Sequence, residues 1–323
     1  MGYYIGIDLG GTNVVAGVTD RTGDLLGRVS LPLTEKGPEG VTRCICEAAR
    51  QACRRVGIGT EQAEALGLAS PGTVDPAAGI VSNAHNLGLG RVPLARLVGE
   101  ALSVPAVLEN DANAAALGEF YAGCGKGHRS LVAVTLGTGV GAGAVLDGKL
   151  YTGFNYAAFE AGHMVIHQGG RPCNCGRRGC WEAYASATGL IRSTRAAMEA
   201  HRDSALWQLA PDPEAVTGKT AFQAAQAGDA AAAAVVEAYA SDLACGLINL
   251  INLFQPEVLC IGGGVSRQGE HLLRPVRAIL DREEFTRTYD KADRTILCIA
   301  QLGDDAGVIG AAMAPLARAQ QGS

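Results

Sequence analysis

The 323-residue chain is 48% hydrophobic and carries 27 basic against 32 acidic side chains, for a net charge of −5. That length and apolar content suit about two domains with a substantial core, while scattered basic residues and a pI near 5.7 argue against the broad electropositive face that nucleic acid requires. The first residues enter a strand-like run with no basic leader and no later stretch is expected to reach bilayer-spanning length, so a cytosolic protein without a membrane partner is expected.

Residues 3–8 and 14–18 read as two strands joined by Gly10-Gly11-Thr12, a hairpin with a polar tip. Residues 24–31 give a third strand, and 39–56 carry apolar positions at helical spacing that stop near Gly57. A buried strand is expected over 65–69, a helix over 94–102, a short strand over 106–109, and an alanine-rich helix over 112–123 opened by Asn110-Asp111. The unit then recurs: strand 131–136, the glycine turn Gly137-Thr138-Gly139, strand 140–146. Between 186 and 254 the composition turns helical, with one helix expected over 221–240 and an all-round apolar core helix over 242–254. Strand 257–261 runs into Gly262-Gly263-Gly264, then a helix near 269–281, a strand over 295–300 and a helix over 306–319 close the chain. This alternation is an α/β pattern.

His163, Cys173, Cys175 and Cys180 read H-x9-C-x-C-x4-C, short spacings at which four soft ligands close a tetrahedral zinc site. Four protein ligands leave no place for water or substrate, so the metal is expected to be structural. The other reading is chance reduced cysteines. Cys245, Cys260 and Cys298 lie in apolar runs and are expected to be core thiols.

The loop Asp8-Leu9-Gly10-Gly11-Thr12-Asn13 offers unobstructed backbone N–H groups for phosphate oxygens, with Asp8 near a Mg²⁺, although a glycine hairpin is more often only a turn. Gly137-Thr138-Gly139-Val140-Gly141 carries the same two readings, and the matched pair strengthens the phosphate one. Gly262-Gly263-Gly264 suits the approach of a flat ring or a tight strand-to-helix turn. Asp111 stands where open α/β sheets place ligands and could accept a proton; on spacing alone the helix cap is favoured. Glu160 and Glu182 flank the cysteine loop, as sugar-binding carboxylates or as solvated side chains.

In order, Asp8 to Asn13, Glu109 to Asn113, Leu136 to Gly141, Glu160-x-Gly162-His163, the cysteine loop through Glu182, and Gly262 to Val265 resemble the ROK family of sugar kinases and repressors, most closely its bacterial glucokinases. The resemblance covers essentially the whole chain. It implies an actin-like ATPase (ribonuclease H-like) fold of two α/β domains around a cleft, the first over 1–118 with helix 304–319 packing back on it, the second over 119–303 with the zinc loop 163–180. It implies ATP and Mg²⁺, a structural Zn²⁺, glucose as substrate, and a homodimer or homotetramer. Asp111 would be the general base, with Asn86, Asn110, Asp111, Glu160, His163 and Glu182 holding the sugar. Asp8, Gly10, Gly11, Thr12, Asn13, Gly137, Thr138 and Gly139 would meet Mg²⁺ and phosphates, Gly263 and Gly264 the adenosine, and His163, Cys173, Cys175 and Cys180 the zinc. An N-acetylhexosamine or mannose kinase is the alternative activity, and a repressor would need a helix-turn-helix ahead of the first strand. Phe159 departs from the small residue usual before the first glutamate, and no aromatic residue follows Asn86-Leu87. His85, His128, His167, His201 and His271 read as surface or loop residues.

Overall fold

In the computed structural model, which describes residues 2–321, the opening hairpin forms as its alternation predicts, with β1 (Tyr3–Leu9), β2 (Asn13–Thr19) and β3 (Leu25–Pro32) in antiparallel succession. Helix α1 (Pro38–Val56) stops at Gly57, whose φ of 79° is the left-handed cap that glycine adopts without strain. Strand β4 (Ala63–Ser70) pairs in parallel with β1. A three-stranded antiparallel sheet absent from the sequence reading follows, built from β5 (Thr73–Asp75), β6 (Ile80–Ala84) and β7 (Leu89–Val92). Helix α2 (Leu94–Leu102), strand β8 (Ala106–Asn110) and helix α3 (Asp111–Ala122) come next. The main sheet runs β3-β2-β1-β4-β8.

The second strand-loop-strand unit is β9 (Leu131–Leu136) and β10 (Val140–Leu146), with β11 (Lys149–Leu150) paired to β10. Helices α4 (Glu182–Ala185), α5 (Ala187–Ala200), α6 (Leu206–Leu209), α7 (Thr220–Gln226) and α8 (Ala230–Phe254) follow, then β12 (Val258–Gly262), α9 (Glu270–Glu283), β13 (Ile296–Ile299) and α10 (Ala306–Gln321). β12 and β13 pair in parallel.

Two units result. The first comprises the residues up to Ala133, Gly143–Phe159 and those from Gln301 on; the second comprises Val134–Ala142 and Glu160–Ala300. In the first, α10 packs on α3, β1 and β4 through bare glycine backbone: a Cβ on Gly310 would lie 1.6 Å from the Ala114 carbonyl oxygen, and one on Gly67 would lie 1.8 Å from that of Ala311. In the second, α8 is the central helix, lying against α4, α5, α7 and α9 with Leu243, Ala244, Leu247 and Ile251 buried.

Three expectations are corrected. The alanine-rich stretch is not one helix over 221–240; it breaks at Gly228, whose φ is 91°, and its second half continues without interruption through 242–254. The resulting 25-residue helix is long and apolar enough to cross a membrane by length and composition, against the expectation that no stretch would be, and 44% of its apolar window is buried against the protein. Cys245 is exposed rather than a core thiol, because it lies on the outer side of that helix; Cys260 is buried and Cys298 partly so.

Candidate active site

In the first unit, β1 ends in Asp8-Leu9 and turns through Gly10-Gly11-Thr12, with the Gly10 N–H donating to the Asn13 carbonyl at 2.9 Å and the Thr12 carbonyl accepting from the Leu33 N–H at 2.7 Å. Both glycines keep negative φ, so they serve for room, not for handedness. A Cβ on Gly11 would approach the Asn86 side-chain nitrogen to 3.2 Å, which places the amide of Asn86 beside the loop. The Asn86 carbonyl in turn accepts from Lys36 Nζ. The Asp8 carboxyl is pushed up to about 6, first by burial and then by the Asp111 carboxylate, with the Arg28 guanidinium opposing.

A raised carboxyl pKa means the folded state binds the proton more tightly than the unfolded chain. The stabilising effect is complete below the unfolded value and is lost as pH rises through about 6, where the folded state holds a half-buried charge. Asp8→Asn is therefore expected to stabilise ligand-free protein by about 1–3 kcal/mol at about pH 8 and to change little at about pH 5, read by denaturant unfolding. A variant less stable than wild type at the higher pH would show that the carboxylate is held by favourable contacts instead.

Helix α3 begins at Asp111, but its cap is Asn110: Asn110 Oδ1 accepts from the Ala112 and Asn113 N–H groups at 2.9 and 3.2 Å. The cap favoured for Asp111 on spacing is thus corrected by one residue. Asp111 sits at the first helical position, its Oδ1 accepting from the Ala112 N–H at 2.9 Å, at the positive end of the helix dipole. Glu109, to which sequence reasoning gave no role, is buried and receives both the Asn110 N–H and the Asn113 side-chain amide at 2.9 Å, fixing the turn that presents Asn110 and Asp111. Burial raises its pKa. An acidic residue directly before the Asn110 cap, at the end of a strand that runs into a helix, is the signal that could have found it.

In the second unit, the loop Gly137-Thr138-Gly139 is closed by a Gly137 N–H to Gly139 carbonyl bond at 3.0 Å, and the Thr138 carbonyl accepts from Thr188 Oγ1 at 2.8 Å. Glu182 joins this loop to the cysteine loop: its Oε2 accepts from the Val140 N–H at 3.1 Å and its Oε1 stands 3.7 Å from Cys173 Sγ. A Cβ on Gly139 would meet that carboxylate at 2.3 Å, so the residue must be glycine for Glu182 to reach in. Glu160 is exposed, and its carbonyl accepts from the His163 N–H at 3.0 Å across one short turn. Phe159 before it has a φ of 69°, a left-handed conformation that favours glycine and costs a bulky residue about 1–3 kcal/mol. β12 delivers Gly263, whose φ of 83° and close approach to the Leu136 backbone demand glycine, and Gly264, whose Cβ position faces open space.

The ligand atoms of His163, Cys173, Cys175 and Cys180 all lie within 4.8 Å of one another. Cys173 Sγ is 3.7 Å from His163 Nδ1, and the Sγ atoms of Cys175 and Cys180 are 3.7 Å apart. A tetrahedron with Zn–S bonds of about 2.3 Å has an edge of about 3.8 Å, close to the separation of these two pairs, so the four side chains could hold a zinc ion. Two isolated bridges, Val165 with Cys180 and Pro172 with Arg178, fold the loop so that distant ligands converge.

The sequence model of the ROK family matches residues 4–318. The glucokinase of Thermotoga maritima is 39% identical over 313 residues, 95% of this chain and 95% of that protein, and the glucokinase of Halalkalibacterium halodurans is 37% identical over 313 residues, 95% and 93% of the two. A solved ROK family glucokinase from Streptomyces griseus, in complex with glucose and AMPPNP, superposes with a TM-score of 0.78 at 36% identity, covering 98% of this chain and 100% of that one.

Proposed function

The chain belongs to the ROK family and has its actin-like ATPase fold, and from that premise we propose that it transfers the terminal phosphoryl group of ATP to the 6-hydroxyl of glucose, giving glucose 6-phosphate and ADP. The observation that carries the reading is at the start of α3. Asn110 takes the helix cap, so the carboxylate of Asp111 is not needed to start the helix and can serve as the base that accepts the hydroxyl proton.

In the first unit, Asn86, Asn110 and Asp111 would meet the sugar, while Asp8 and the backbone of Gly10 to Asn13 would meet Mg²⁺ and phosphate. In the second, Glu160, His163 and Glu182 would take sugar hydroxyls, Gly137 to Gly139 phosphate oxygens, and Gly263 and Gly264 the adenosine. Catalysis in such an arrangement is positioning plus electrostatic stabilisation. Mg²⁺, when bound, neutralises charge on the transferring phosphoryl group. Zn²⁺, held by His163, Cys173, Cys175 and Cys180, would have no open coordination position and would serve to orient His163.

The test is ADP release over a panel of hexoses with ATP and Mg²⁺: glucose should give the highest kcat/KM, and a preference for mannose or N-acetylhexosamines would overturn the substrate assignment. Polyphosphate in place of ATP tests the donor. For the metal, one zinc per chain is expected by elemental analysis, and Cys175→Ser should raise the KM for glucose more than about tenfold while that for ATP moves little. Zinc-free protein with unchanged glucose affinity would contradict the link.

A further inference from the structure

His167 lies outside every role given above, yet it makes a short polar contact to a helix. Its Nε2 is 2.6 Å from Asp242 Oδ1 on α8, and its ring lies against Tyr184, centroids 4.6 Å apart. Asp242 also binds the other strand of the same hairpin, its carbonyl accepting from Trp181 Nε1 at 2.9 Å. The hairpin is real at this point: the Trp181 N–H donates to the Met164 carbonyl at 2.7 Å and the Ile166 N–H to the Gly179 carbonyl at 2.9 Å.

Asp242 belongs to a stripe. Tyr239 Oη donates to the Ala185 carbonyl at 2.6 Å, a Cβ on Gly246 would lie 2.1 Å from the Trp181 indole, and Asn249 Nδ2 approaches Met164 Sδ at 3.6 Å. Residues 239, 242, 246 and 249 follow one another at helical spacing, so a single face of α8 grips residues 164, 167, 181 and 185. Those contacts begin at the residue that follows His163 on one side of the hairpin and bracket Glu182 on the other. Trp181 is fully buried, whereas the His167 side chain is half exposed, so the His167–Asp242 pair is the adjustable member of the set.

We propose that Asp242 and His167 are positioning residues for sugar binding, which lock the hairpin in the register that presents His163 and Glu182. The proposal rests on the sugar-kinase reading for its substrate. Its geometry stands apart from that reading, because the contacts fix the metal ligands as well as the sugar ones. The pair reaches the glycine loop only indirectly, through the Glu182 carboxylate on the Val140 N–H, so its loss should act chiefly on sugar affinity and on metal retention and much less on the nucleotide.

The experiment compares His167→Phe, which keeps the stacking on Tyr184 and removes the polar contact, with Asp242→Ala and Asp242→Asn. The Ala and Asn variants both retain the backbone carbonyl that holds Trp181. In His167→Phe and Asp242→Ala the KM for glucose should rise about five- to tenfold, with kcat and the KM for ATP within about twofold of wild type, and zinc should leave to a chelator faster by a similar factor. Asp242→Asn, which keeps an acceptor oxygen, should restore both values most of the way. Unchanged glucose KM and unchanged zinc release in His167→Phe would overturn the proposal, as would a parallel rise in the KM for ATP. If wild type fails to phosphorylate glucose, the kinase reading falls, and the zinc-release rates of the same variants still decide whether the pair locks the hairpin.

Discussion

Asp111→Asn should retain glucose binding and lose turnover by about 10² to 10⁴, the usual cost of removing a positioned base. The amide keeps the shape of the side chain and leaves the helix start intact, because the cap is supplied by Asn110. It cannot take the proton. Calorimetry with glucose separates binding from chemistry, and ADP release measures the chemistry. A variant that keeps more than about a tenth of wild-type turnover would show that Asp111 is not the base. The same substitution removes one of the two influences that raise the Asp8 pKa, so the stability step near pH 6 should move to lower pH.

Gly310→Val should cost more than about 4 kcal/mol and leave the chain largely insoluble. A Cβ there would stand 1.6 Å from the Ala114 carbonyl oxygen and 2.6 Å from the Gly118 nitrogen, and a Cβ on Gly118 would meet the Ala306 carbonyl at 2.2 Å. These neighbours are backbone and cannot swing away. Helices α3 and α10 would have to separate, opening the packing of α10 against β1 and β4, where Val308, Ile309, Ala311, Ala312 and Met313 are buried. Because α3 carries Asp111 at its first position, the damage would reach the site as well as the fold. Soluble yield and the denaturant midpoint of any soluble fraction measure the effect; a midpoint close to wild type would mean the helix pair tolerates a wider spacing.

Much of this fold is legible in the sequence. The two strand-glycine-strand units were readable because two largely apolar runs flank each glycine turn, and the His163, Cys173, Cys175 and Cys180 cluster because its four residues lie within eighteen positions of one another. What stayed hidden depended on tertiary partners or on single-residue registers. The strands β5 to β7 are three to five residues long and interrupted by glycine and asparagine, too short for a period to show. Asp111 and Asn110 are both good caps, and only geometry decides that the cap is Asn110. The extent of α8 was misread because alanine-rich and leucine-rich halves looked like different elements, while the backbone breaks only where Gly228 adopts a positive φ. The reach of Glu182 to the Val140 N–H, and that of His167 to Asp242, span 42 and 75 residues and leave no local trace.

The most direct test of the central claim is the identity of the product. Wild-type protein incubated with glucose, ATP and Mg²⁺ should form a sugar phosphomonoester at the same rate as ADP, and ³¹P and ¹³C magnetic resonance should place the phosphate on the 6-oxygen. ADP released without a sugar phosphate, or phosphate on another hydroxyl, would contradict the account.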